Sequence, residues 1–169
     1  RGVATPATLL EDAPLTLESG GKSWTPMNDD DEFHGWVTAR TAVEQSHNLP
    51  TIRLALATGL PAIVETAKAL GLAANLRPVP SIAIGSFEVA PVELVTAYAA
   101  FANDGVLTAD GSALVSTESP AGERVLSPQS AFLITTLLQG VVDYGTARSM
   151  RSQGLADPVA GKTGTSNNR

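Results

Sequence analysis

Two short stretches hold the residue types that could do chemistry. Near the C-terminus, Gly161-Lys162-Thr163-Gly164-Thr165 sets a lysine and two hydroxyls among glycines. Led in by Pro158-Val159-Ala160, it reads as a short strand with polar groups at its end. The pleat would place Lys162 and Gly164 on one face and Thr163 and Thr165 on the other. A ligand could then lie against the backbone at Gly164, where no side chain blocks its approach. Lys162 would supply a fixed positive charge, and Thr163 or Thr165 a hydroxyl donor, for a carboxylate docked there. The second stretch is Ser46-His47-Asn48, at a predicted helix end opening into a turn, where two short polar side chains could face a cleft. Such residues also favour caps and turns with no further role. It is Lys162, downstream in the expected order, that lifts Ser46 and Asn48 above that plain reading.

Elements must position these groups. Thr38 is a predicted N-cap for a helix running to about Ser46, with Ala39, Ala42 and Val43 at helical spacing and Arg40–Glu44 an outer i,i+4 pair. Pro50 disfavours a helical Leu49 and should break the helix there. Helices over residues 51–57 and 61–70 follow, punctuated by Gly59 and Gly71, with Leu54, Leu56, Ile63, Val64, Ala67 and Leu70 as core positions. Residues 76–85 read as a loop. Pro91 at a first helical position and Gly105 past the end bracket a helix whose apolar stripe is Leu94, Val95, Tyr98, Phe101 and Ala102. Ala90 precedes it where a hydroxyl cap would be expected. Residues 113–117 and 124–126 read as a hairpin around Pro120-Ala121-Gly122. Ser127 and Pro128 open a further helix with Leu133, Leu137, Leu138, Val141 and Val142 inward, and Gly145-Thr146-Ala147 restarts a shorter helical turn. Upstream, residues 15–17 and 22–25 pair as a hairpin across Ser19-Gly20-Gly21, and residues 28–31 form a polar turn. Ser19 and Lys22 have the Ser-x-x-Lys spacing of a serine nucleophile and a lysine that takes its proton. That chemistry needs serine at a helix start with lysine one turn later on the same face, and two intervening glycines favour a surface hairpin instead.

Composition excludes several function classes. The 169 residues suit one domain or a piece of one, and 43% hydrophobic content with 17% charge is ordinary for a globular protein. A net charge of -6 without any Lys/Arg cluster argues against a nucleic-acid surface. No cysteine is present, so there is neither a disulfide framework nor a thiolate metal site. His34 and His47 are too few and too far apart in sequence to suggest a metal site, and no cofactor is expected. No apolar run is long enough to span a bilayer. The chain starts without Met and reads as an excerpt, one domain truncated at both ends over residues 1–169.

Further stretches carry a resemblance. Asp12-Ala13-Pro14, Trp24-Thr25-Pro26-Met27-Asn28 and Val43-Glu44-Gln45-Ser46-His47-Asn48-Leu49-Pro50-Thr51 occur in order with Gly85-Ser86-Phe87-Glu88-Val89-Ala90-Pro91, Gly145-Thr146-Ala147 and the Lys162 stretch. In sum the chain resembles the central part of the transpeptidase domain of class A, bifunctional penicillin-binding proteins. The resemblance implies an α+β fold of the penicillin-binding transpeptidase and serine β-lactamase kind, with this chain its mostly helical part plus one strand of the central sheet. It implies a serine D,D-transpeptidase that cross-links peptidoglycan stem peptides and is acylated by β-lactams, on the periplasmic face of the inner membrane. Ser46 and Asn48 would be the Ser-x-Asn element, Ser46 in the proton relay to the leaving group and Asn48 on the substrate amide. Lys162 would support that relay electrostatically, while Thr163, Gly164 and Thr165 bind the substrate carboxylate. The backbone N–H at Thr165 would form half of an oxyanion hole. His47 is given no role.

One departure from the family pattern governs what this chain can do. The Ser-x-x-Lys nucleophile is expected one helix before Arg1, with an N-terminal membrane anchor and a glycosyltransferase domain further upstream. The strands flanking Lys162 are expected beyond both ends. The chain by itself should therefore neither hydrolyse D-alanyl peptides nor form a penicilloyl adduct. Two other readings stay open: a D,D-carboxypeptidase or serine β-lactamase of the same fold, and a non-catalytic binding or structural module.

Overall fold

A computed structural model describes residues 2, 4–19, 21–73, 75–108 and 122–165. They gather into two compact units, one of Ala55–Thr135 and one of Gly2–Leu54 with Thr136–Arg169.

In the second unit, strand β1 (Leu9–Asp12) pairs antiparallel with β4 (Gly35–Thr38), Leu9 opposite Thr38 and Asp12 opposite Gly35. Between them β2 (Leu17–Ser19) and β3 (Lys22–Trp24) form the expected hairpin. Ser19 lies opposite Lys22 across its ladder, so this Ser-x-x-Lys match is on a hairpin and not a helix. β4 runs into α1 (Ala39–Glu44), where the Thr38 hydroxyl accepts the Thr41 N–H at 3.0 Å. A cap of this kind contributes about 1 kcal/mol. The helix ends at Glu44, two residues earlier than the sequence predicted.

The break therefore falls at Ser46-His47 and not at Leu49. Helix α2 (Asn48–Thr58) takes Leu49 and Pro50 into its first turn. There a proline's missing N–H deprives no intrahelical bond. Leu49 and Ile52 are fully buried, although neither was among the expected core positions. The Arg40–Glu44 pair forms at 3.2 Å, but Glu44 is buried and does not lie on an outer face.

The last turns of α5 (Pro128–Asp143) bury Val141 and Val142, which pack with Ala147, Val43 and Leu155. A short helix α6 (Ser149–Ser152) follows. Residues 158–165 form no strand, against the expectation. Among the described residues their one backbone–backbone hydrogen bond runs from Gly161 N–H to the Leu138 carbonyl, 3.2 Å, near the end of α5. A strand is defined by its ladder, and none of the described residues pairs with this stretch.

The first unit contains α3 (Leu60–Ala69), a 3-10 turn over Pro80–Ile84 where a loop was expected, and α4 (Pro91–Ala102). Its core joins Leu70, Ala97 and Ala100 with the half-buried Leu72, Phe101, Leu107, Val125 and Leu126. Of the stripe predicted for α4, only Phe101 packs there; Leu94, Val95, Tyr98 and Ala102 are exposed. The inward face is instead Ala97, Ala99 and Ala100. The helix is apolar nearly all round, so periodicity could not single out a face, and small side chains let neighbours approach closely. Leu133 on α5 and Leu56 on α2 are likewise exposed, whereas Leu137, Leu138, Val64 and Leu70 are buried as expected. β5 (Val106–Leu107) pairs with β6 (Glu123–Arg124). The first arm of the hairpin expected between 113–117 and 124–126 lies outside the described residues.

Candidate functional site

Every predicted site residue belongs to the second unit. Ser46 sits in the turn between α1 and α2 with φ at +59°, the left-handed region that a side chain disfavours. Its N–H donates to the Val43 carbonyl at 3.3 Å, and the His47 N–H to that of Ala42 at 2.9 Å. The turn thereby closes the end of α1.

Lys162 reaches this turn from 116 residues away in sequence, its Nζ donating to Ser46 Oγ at 2.7 Å and to the Thr163 carbonyl at 3.1 Å. The residue as a whole is exposed. Desolvation around the ammonium nevertheless holds its pKa below that of a free lysine. The charge is thus aimed at one hydroxyl.

Thr163 is held from another side. Its hydroxyl lies 2.7 Å from that of Thr146. Thr146 is fixed in turn because its N–H donates to the Glu44 carbonyl at 3.1 Å. Gly145 makes that approach feasible, since a Cβ there would overlap the Glu44 backbone carbonyl. At Gly140 a Cβ would overlap the Glu44 carboxylate. Space beside Gly164 is open, as the approach of a ligand to that backbone requires.

Asn48 has partners within the protein. Its side-chain Nδ2 donates to the Met27 carbonyl at 2.8 Å, so this donor is occupied in the structure. Its own N–H goes to Asn28 Oδ1 at 2.8 Å. The Lys162–Ser46 and Thr163–Thr146 pairs form directly, whereas Asn48 is tied to residues 27 and 28. Thr165 is exposed.

Sequence reasoning missed the support beneath this turn. Asn28, read as part of a polar turn, is only 4% exposed, and Asp12 not at all. Asn28 Nδ2 donates to both Asp12 carboxylate oxygens at 2.9 Å. Asp12 Oδ2 also faces the Nδ1 atoms of His34 and His47, at 2.8 and 3.1 Å, and accepts the His34 N–H at 3.2 Å. Burial alone would raise the Asp12 pKa; the hydrogen bonds from Asn28 and His34, aided by His47, outweigh it and leave it below the ordinary carboxylate value. Two histidines 13 positions apart thus meet, with ring centroids 4.2 Å apart. The signal available was polar residues inside the quoted Asp12, Asn28 and Ser46 stretches, which periodicity alone would not bury.

Asp12, His34 and His47 bring potential metal-ligand atoms within 4.8 Å of one another. The Asp12 oxygens already face these amide and imidazole nitrogens at hydrogen-bond distances, which accounts for the cluster without an ion. A cavity of about 560 Å³ adjoins Ser46 and is lined by Asp29, Asp30, His34, Gln45, His47 and Thr146, among others.

Comparison with known proteins gives the fold first. The crystal structure of penicillin-binding protein 1A from Haemophilus influenzae superposes with a TM-score of 0.82 at 23% identity, covering 97% of this chain and 32% of that one. This is the architecture of a penicillin-binding protein. The chain belongs to the penicillin-binding protein transpeptidase domain family, whose model matches residues 1–168. It is 36% identical to penicillin-binding protein 1B of Vibrio cholerae over 95% of its length, and 35% identical to the same protein of Escherichia coli over 95%. It spans 22% and 21% of those two relatives. The family read from the sequence is borne out.

Proposed function

We propose that this chain is one wall of the cleft of a serine D,D-transpeptidase of the class A penicillin-binding kind, part of a single domain, working on peptidoglycan stem peptides outside the cytoplasm. The observation that carries the reading is the 2.7 Å bond from Lys162 Nζ to Ser46 Oγ, which joins the two predicted motifs. In the reaction, a serine outside this chain attacks the carbonyl before a terminal D-alanine. The D-alanine nitrogen takes a proton as it leaves, and an acceptor amine then attacks the acyl-enzyme ester, forming the new amide as it gives up a proton and the serine hydroxyl is released. Ser46 Oγ is suited to pass that proton, because the Lys162 ammonium beside it stabilises charge on the hydroxyl oxygen. Thr163, Gly164 and Thr165 are the seat for the carboxylate of substrate or β-lactam, with open backbone at Gly164 and the Thr163 hydroxyl pre-set by Thr146. Asn48 can meet the substrate amide with Nδ2 once its bond to Met27 is exchanged, or with Oδ1 as it stands.

The only Ser-x-x-Lys in these 169 residues is Ser19 to Lys22, and it spans a hairpin. The isolated chain is therefore expected to take no penicillin. The test compares it with the longer protein that contains it, each incubated with a fluorescent penicillin and weighed intact. A covalent adduct on the longer protein, with none on the isolated chain, is the expected result. An adduct at Ser19 or Ser46 would overturn the assignment of roles, and no adduct on the longer protein would overturn the transpeptidase itself.

A further inference from the structure

His47 is the middle residue of the Ser-x-Asn turn, and the structure gives it an anchor. The residue is 8% exposed with Nδ1 turned to Asp12 Oδ2, while Ser46 and Asn48 on either side are half-buried. Asn28 locks the same turn from its other end. Its Oδ1 accepts the N–H groups of Asn48 and Leu49, at 2.8 and 3.3 Å, which are among the first donors of α2 and have no partner within the helix. Its Nδ2 donates to the Asp12 carboxylate and to the Glu32 carbonyl. Donors on one side and acceptors on the other fix which way round the Asn28 amide lies.

We infer that Asp12, through His47 and Asn28, clamps the Ser46 turn in the geometry that Lys162 meets, so that these three act as positioning residues of the proposed reaction. Asp12 is fully buried. Its part is to draw the His47 ring inward. In a tight turn an inward middle side chain turns both neighbours outward, and Ser46 takes φ at +59°. A serine holds that conformation only when its surroundings over-determine it. The clamp supplies this from two sides of a single carboxylate.

The catalytic half of this inference rests on the proposed transpeptidase; the geometric half does not. The test uses the longer protein with His47→Leu, which keeps bulk and loses the donor, and His47→Asn, whose amide nitrogen can occupy the place of Nδ1. Both are checked for folding by their unfolding temperature. In His47→Leu, acylation by a fluorescent penicillin is expected to slow by about 10- to 100-fold, the effect of a misplacement near 1 Å. In its crystal structure Ser46 should leave positive φ and the Lys162–Ser46 contact should open. His47→Asn should restore both. If His47→Leu does not fold, His47→Gln replaces it, because its amide nitrogen falls near the Nε2 place and should not rescue. A folded His47→Leu with Ser46 unmoved and an unaltered rate overturns the clamp. If the unaltered protein takes no penicillin, the transpeptidase reading fails and the position of Ser46 alone decides the clamp.

Discussion

At Ser46 Oγ the decisive neighbour is a single ammonium. A charged donor at 2.7 Å is a stronger partner than a neutral one, and it stabilises the oxygen most when negative charge gathers there. Removing the charge while keeping the stem isolates that effect. Lys162→Met in the longer protein should reduce penicillin acylation by about 10²-fold or more, the range for groups that act in proton transfer. Its unfolding temperature should stay close to the unaltered value, since Lys162 is exposed. Stopped-flow acylation with thermal melts on the same samples checks this. An unchanged rate would remove Lys162 from the relay.

At the scale of elements, the site depends on how closely three backbones approach. The end of α1, the turn after α5 and the Lys162 stretch meet through Glu44, Thr146 and Thr163. Gly145 is the contact that leaves no slack, because an added Cβ would meet backbone there. At Gly140 it would meet a side chain that can move. Gly145→Ala should therefore cost about 1–3 kcal/mol, the range for overpacking. Gly140→Ala should cost less. Urea unfolding of the two variants compares them, and equal costs would show that the Glu44 carbonyl can yield. Gly145→Ala should also weaken β-lactam binding, since it pushes Thr146 away from Thr163.

For the molecule as a whole, Asp12 ties stability to pH. Its folded pKa lies below the unfolded value of about 3.8. A depressed carboxylate contributes stability that is fully present above the unfolded pKa and is lost as pH falls through the folded one. Urea unfolding from pH 6 down to pH 2 should show stability falling below about pH 4. Asp12→Asn should flatten that fall while lowering stability at neutral pH, because a neutral amide replaces a carboxylate that serves several donors. A wild-type curve with the same acid slope as Asp12→Asn would show that other carboxylates govern it.

Local signals in the sequence determined most of the elements and singled out the candidate site's polar residues. Thr38 capped α1 and Pro91 opened α4 because caps and proline act within one turn of the chain. The hairpin at Leu17–Trp24 was legible from turn residues between short extended runs. Motif order joined Ser46 to Lys162 before any distance was known. Tertiary structure decided what local signals do not encode. It chose the alanine face of α4, a helix apolar nearly all round, and left 158–165 without a ladder among the described residues. It buried Asp12, Asn28 and His47, polar residues whose desolvation is repaid only by partners distant in the chain. Which side chains could react was written in residue type and spacing; which of them are held, and by what, depended on hydrogen bonds that close only when the chain has folded.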